Sequence, residues 1–169
     1  MRPLTQRLGA PEWLITIGAG YFIFALAVAA AFEADLRWLH TFQAAIYVTT
    51  IVLSRRRNRW GWFIGISAAA LWNYLIMFAS PIVRMLIDQL SHGPLRPDIL
   101  LQGLAWFANL AIIAGGLWAY YRQPGRSRAD LARFAVAFVL TTAFLIVAVA
   151  IFTPRRLDLL AQGLHPHWP

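Results

Sequence analysis

The stretch LARFAVAFVLTTAFLIVAVAIFT, Leu131 to Thr153, decides the fold. It carries one charge, Arg133, near its start, and is apolar almost without interruption thereafter. A helix rises about 1.5 Å per residue, so a run of this length reaches across a hydrocarbon core of about 30 Å. Backbone N–H and C=O groups find no water partner in lipid, so a spanning segment is either helical or part of a closed barrel. The run lacks the period-two alternation of a barrel strand, and the helix is the consistent reading.

Working outward, four more stretches have the same character. They run from Trp13 to Phe32, Leu36 to Leu53, Trp60 to Ser80 and Ile99 to Tyr121. The expectation is an all-α integral membrane bundle of five transmembrane helices, one domain over residues 1–169. The second stretch is the shortest and most polar, and it is the first to be lost if the count is four. Composition agrees: 60% of residues are hydrophobic and 13% charged, against about 45–50% and about 25% in soluble domains. The apolar run after the polar Met1 to Pro11 segment exceeds the roughly 7–15 residues of a signal core. It reads as a retained first span.

All fifteen basic residues are arginine, and the net charge is +8. The arginines lie between apolar runs, which points to membrane orientation and anionic headgroups and not to nucleic acid. Arg2, Arg7, Arg55, Arg56, Arg57, Arg59, Arg122, Arg126, Arg128 and Arg133 fall on one side of a five-span chain. Arg37, Arg84, Arg96, Arg155 and Arg156 fall on the other. The excess places the N-terminus in the cytoplasm and the C-terminus outside, in a bacterial-type inner (plasma) membrane. Trp13, Trp38, Trp60, Trp62 and Trp118 sit near the expected helix ends, where an indole prefers the headgroup level.

Between spans three and four, Ile82 to Leu90 sets Ile82, Val83, Leu86, Ile87 and Leu90 against Arg84, Asp88 and Ser91. That is the spacing of an amphipathic helix, either lying in the interface or extending span three past Pro81. Residues 155–169 form a short tail whose His165 and His167 lack acidic or cysteine neighbours.

One pattern carries chemistry. His40, Gln43, Tyr47, Thr50 and Ser54 recur at intervals of three and four, which puts them on one helix face. Gln102, Trp106 and Asn109 make a matching stripe in the fourth span, and Trp72 and Asn73 lie mid-way along the third. Intramembrane polar side chains turn toward the bundle interior or a wet cavity. The eight residues His40, Gln43, Tyr47, Trp72, Asn73, Gln102, Trp106 and Asn109 are therefore a candidate substrate-binding seam. The competing reading is interhelical glue. Gly61 and Gly65, with Ala68 and Ala69, supply a small-residue packing face in the third span.

Absences narrow the function. Cysteine and lysine do not occur, and Glu12, Glu33, Asp35, Asp88, Asp98, Asp130 and Asp158 all lie at span ends or in loops. Coupled carriers usually need an intramembrane carboxylate. No metal set, haem pair or catalytic motif is present, so no cofactor and no enzyme is expected. The expected function is that of a non-catalytic accessory or interaction subunit. Its partners are the lipid bilayer and either a second copy or another membrane protein. The alternative is an uncoupled small polar solute transporter or channel using the seam.

The run Arg57-Asn58-Arg59-Trp60-Gly61-Trp62-Phe63-Ile64-Gly65-Ile66, continuing to Trp72-Asn73-Tyr74, resembles a set of small multi-pass bacterial inner-membrane proteins of unassigned function. It is also similar to the basic-Asn-Arg-Trp-x-Trp-x-Ile-Gly segment of PnuC-type vitamin-precursor transporters. That family has more spans than this chain, and the likeness covers only this stretch. It implies facilitated diffusion of a nucleoside-like solute, with Trp72 and Asn73 in or near the pathway.

Overall fold

The computed structural model describes residues 8–78, 82–93 and 96–154, and among them every regular element is helical. Helix α1 spans Ala10–Phe32, α2 Arg37–Arg55, α3 Arg59–Phe78, α4 Ile82–His92, α5 Pro97–Arg122 and α6 Arg128–Phe152. A 3-10 turn, Ala34–Leu36, leads into α2. The expected tail at 155–169, with its two histidines, lies outside the described residues, as do Ser80 and the expected kink at Pro81.

Helix ends follow local chemistry. Pro11 and Pro97 open α1 and α5, where a missing N–H costs nothing, and Glu12 and Asp98 face the positive ends of those helices. The Asp130 carboxylate accepts from the Ser127 N–H at 3.0 Å and closes the first turn of α6. At the end of α2 the Arg57 N–H donates to the Ser54 carbonyl at 2.8 Å and the Asn58 N–H to that of Leu53 at 3.0 Å. Arg57 sits at φ 53°, the left-handed position that this cap requires and glycine usually fills.

Four helices, α1, α3, α5 and α6, are long and apolar enough to cross a membrane. The second expected span, α2, is 19 residues long but is not one of the four, because its polar stripe lowers its mean hydropathy. The helices alternate in direction. Arg57 Nε stands 3.6 Å from Glu12 Oε1, and Arg59 Nη1 stands 2.7 Å from Asp130 Oδ2. The starts of α1, α3 and α6, the α2–α3 turn and the end of α5 therefore share one end of the bundle. Glu33, Arg96 and Asp98 meet at the other, where hydrogen bonds and charge from Asp98, helped by Glu33, hold the Arg96 guanidinium above its usual range.

Packing centres on α1, α3 and α5, with α2 laid across α1 and α3. Small residues set the spacing. A Cβ on Gly18 would stand 2.7 Å from the Ala108 carbonyl oxygen of α5, and one on Gly61 2.5 Å from the Ser54 nitrogen of α2. The expected small-residue face of α3 thus meets α2 through Gly61 and Gly65, whose added Cβ would touch Thr50 Cγ2 at 2.6 Å. Helix α6 is the least covered of the four apolar helices. Leu36 and Leu39 pack on its Ala148 and Val149 at one end, and Phe63 meets Phe134 at the other.

Helix α4 has the expected amphipathic sequence but turns only part of its apolar face inward. Val83 and Leu86 are half-buried, with Leu86 against Gly103 of α5, while Met85, Ile87 and Leu90 are exposed. An apolar face left uncovered by protein fits an interfacial helix.

The glycines give a paired test. Nothing lies within 4 Å of a Cβ placed on Gly20. Gly20→Ala is expected to leave the thermal midpoint unchanged or raise it slightly, since alanine is the better helix former by about 0.5–1 kcal/mol. Gly18→Ala, one turn-face away against backbone, is expected to lower it. Equal midpoints for the two variants in detergent would mean that α1 and α5 are not packed as described.

Candidate functional site

The three-and-four spacing in α2 delivers the face it predicts. His40, Gln43, Tyr47, Thr50 and Ser54 are all buried, the last three completely. The reverse face, Phe42, Ala45, Val48 and Val52, is exposed. Two threonines on that exposed side, Thr41 and Thr49, direct their hydroxyls back to the Arg37 and Ala45 carbonyls at 2.8 Å. Helix α2 is thus polar inside and apolar outside, the inverse of a helix on a water-soluble domain.

Four of the eight candidate residues are joined into one relay. The Tyr47 hydroxyl donates to Asn109 Oδ1 at 3.2 Å. The Asn109 amide donates to Asn73 Oδ1 at 3.0 Å, and the Asn73 amide donates to the Trp106 backbone carbonyl at 3.4 Å. The relay ties α2 to α5, α5 to α3, and α3 back to α5. Trp106 enters through its backbone, and its half-buried ring packs on Phe107. Trp72 joins by way of Phe22, which stacks on Tyr47 at 4.3 Å and lies 5.8 Å from the Trp72 ring.

The remaining candidates stand apart from the relay as bonded. Gln102 is half-buried on α5. Gln43 is 2% exposed one turn from Tyr47, and His40 is buried a turn nearer the start of α2. Several buried polar atoms have no hydrogen-bond partner among the described residues: Gln43 Oε1, Thr50 Oγ1, Ser54 Oγ and the indole nitrogens of Trp62 and Trp72. The first three lie on the buried face of α2, and the two indoles belong to α3. Among the described residues no group of three or more His, Cys, Asp or Glu side chains could hold a metal ion.

Two features were missed by sequence reasoning. Phe22, which seats the Tyr47 ring, belongs to a span with no polar signal. Arg59 was read as an orientation charge but serves as a clamp. Its Nη1 meets both Asp130 oxygens at 2.8 and 2.7 Å, Nη2 meets the Pro124 and Gly125 carbonyls at 3.0 and 2.8 Å, and Nε meets Gln123 Oε1 at 3.2 Å. Arg133 Nη1 adds a further bond to Asp130 Oδ1 at 2.8 Å. The usable signal was an arginine at a helix start with an acid just after the next arginine-rich loop.

The fold and this seam define a helical chain with four helices fit to cross a membrane and a bonded polar interior. No protein-family model, curated protein or solved structure matches the chain.

The relay makes Asn109 the critical member, because it bonds side chains on two other helices, accepting from Tyr47 of α2 and donating to Asn73 of α3. Asn109→Leu strands the Tyr47 hydroxyl and the Asn73 carbonyl and is expected to cost about 1–3 kcal/mol. Tyr47→Phe removes one donor and leaves Asn109 bonded to Asn73, for a loss of about 0.6 kcal/mol, the membrane average. Unfolding in detergent measures both, and a milder effect from Asn109→Leu than from Tyr47→Phe would sink the relay.

Proposed function

We propose that the chain is a non-catalytic integral membrane protein of a bacterial-type inner membrane, an accessory or interaction subunit that crosses five times. The observation that carries this reading is the inverted polarity of α2, with its polar stripe buried and its apolar face outward. An average over all faces underrates such a helix, because its polar groups face protein and not lipid. Its 19 residues span about 28 Å at about 1.5 Å each, close to the hydrocarbon thickness of about 30 Å. Direction argues the same way. Helices α1 and α3 both start at the arginine-rich end, so the segment between them returns across the bundle. The exposed Trp38 at its start fits an interfacial anchor.

The arginine-rich end then faces the cytoplasm, with Arg55, Arg56, Arg57, Arg59, Arg122, Arg126, Arg128 and Arg133 near it, and the C-terminus lies outside. An interaction role is supported by α6, whose Val139, Leu140, Val147 and Ile151 all face outward. That face meets lipid, a second copy of the chain or another membrane protein.

A second reading, an uncoupled pathway for a small polar solute along the seam, is favoured by one observation. Gln43 Oε1 and the Trp72 N–H are buried, close to the relay and unbonded among the described residues. The resemblance of the Arg57 to Tyr74 stretch to PnuC-type transporters points in the same direction. The relay weighs against it, because its members are bonded to one another.

Two measurements test these readings. The chain has no cysteine, so Asp35→Cys, Arg56→Cys and Gln123→Cys can each be labelled without background by an impermeant maleimide. Five crossings require Arg56→Cys and Gln123→Cys to react from one side of the membrane and Asp35→Cys from the other. Labelling of Asp35→Cys and Arg56→Cys from the same side rejects α2 as a crossing. For the seam, the thermal midpoint of purified protein is followed against nucleosides, sugars and amino acids. No shift is expected. A concentration-dependent rise that Gln43→Ala abolishes would replace the subunit reading with transport.

A further inference from the structure

The arginine-rich end holds a half-open cleft of about 340 Å³ between the start of α1, the α2–α3 turn and the last turn of α5. Glu12, Arg57, Trp62 and Arg122 stand on its walls. Their charges do not cancel. The Glu12 carboxylate, 8% exposed, lies 3.6 Å from Arg57 Nε, and the two offset each other. Arg122 is exposed and has its guanidinium 4.6 Å from the centre of the Trp118 ring. It has no carboxylate partner among the described residues. The cleft is therefore left with one positive charge.

A second observation is independent of charge. Trp62 is 2% exposed, and its indole N–H has no acceptor among the described residues. An indole offers a donor and nothing else. Burying such a group unpaired costs about 1–3 kcal/mol, and this one belongs to a wall residue of a space large enough for a small polar group. A ligand suited to the cleft carries one negative charge and an acceptor oxygen. Arginine favours the planar, two-pronged recognition of phosphate oxygens.

The geometry points to an anion site here for a singly charged phosphate, of the kind a phosphodiester headgroup of an anionic phospholipid presents. Arg122 pairs with the phosphate, and the Trp62 N–H donates to one of its oxygens. The Glu12–Arg57 pair forms the neutral opposite wall and excludes a second negative charge. Basic pockets between membrane helices at the cytoplasmic face are suited to such headgroups. The inference rests on the bundle lying in a membrane, which the cysteine labelling tests separately. It does not depend on whether the seam is glue or a pathway.

The test uses the full chain in a neutral detergent. Phosphatidylglycerol, phosphatidylcholine, glycerol 3-phosphate and inorganic phosphate are added separately, and the thermal midpoint is followed. Phosphatidylglycerol is expected to raise the midpoint with saturation, and phosphatidylcholine to leave it unmoved. Arg122→Gln, at an exposed position, is expected to fold normally and to weaken the apparent affinity at least about tenfold. Trp62→Phe should weaken it by about threefold. Arg126→Gln, outside the cleft, controls for general surface charge and should leave the affinity unchanged. If inorganic phosphate or glycerol 3-phosphate reproduces the Arg122-dependent shift, the anion site stands and its natural ligand is a free phosphate compound. If no phosphate moves the midpoint, or if Arg122→Gln responds like the parent protein, the site does not exist.

Discussion

The structure depends on burying the polar face of α2 inside the bundle. In the five-span placement proposed above, lipid offers no hydrogen bond, so a side chain such as Gln43, Tyr47 or Thr50 turned outward would lose its water without replacement, at a cost of several kcal/mol. Turned inward, Tyr47 finds the Phe22 ring at 4.3 Å and the Asn109 amide at 3.2 Å. The gain from each bond is small, about 0.6 kcal/mol on average in membranes. The penalty for the wrong face is several times larger. The relay therefore acts mainly by exclusion: it fixes which way α2 can rotate, and with it the order of α1, α3 and α5 around it. Packing holds what the relay orients, through backbone-close approaches at Gly18, Gly61 and Gly65.

At the arginine-rich end a different chemistry serves the same purpose. Arg59 places all of its donor nitrogens on partners drawn from the α5–α6 turn and the start of α6. A lysine, with one point charge, could not reach Gln123, Asp130 and the two loop carbonyls together. Asp130 is 2% exposed and is also held by Arg133 and the Ser127 N–H, so the pair is less open to salt screening than a surface bridge. This clamp compensates for the weak lateral packing of α6, whose middle faces outward.

Much of the fold was legible because lipid simplifies the code. An uninterrupted apolar run has one outcome, and the boundaries of α1, α3, α5 and α6 fall within a few residues of those runs. The α2 stripe was legible for the same reason: period gives a face, and the face came out buried. What period does not give is the neighbour. Nothing in the spacing of Tyr47 says that it meets Asn109 and not Gln102, or that Phe22, from a span without a polar stripe, provides its seat. Charge at a helix end is equally ambiguous. Arg59 and Arg56 read alike in sequence, yet one is bonded at every donor nitrogen and the other lies exposed. Asp130 resembled a loop acid because its partner is seventy-one positions away along the chain.

The same contacts divide the molecule into a locked middle and an open end. Movement of α5 against α1 and α3, as alternating access demands, would break the Asn109–Asn73 bond and the Tyr47–Asn109 bond together. It would also drag Gly18 and Gly115 away from backbone contacts at which even one added carbon would stand 2.7 Å from the Ala108 carbonyl oxygen and 3.0 Å from that of Pro11. Close-packed interiors shift between discrete arrangements and do not deform smoothly, and here the polar partners on each helix match one arrangement. Beyond the close approach of Gly115 to Pro11, the arginine-rich end opens into a cleft between α1 and α5. There the helices diverge around Glu12, Arg57, Trp62 and Arg122, and the polar groups are only partly paired. The recognition proposed above is placed at that end and on the outward face of α6, and the bonded seam holds the helices between them in register.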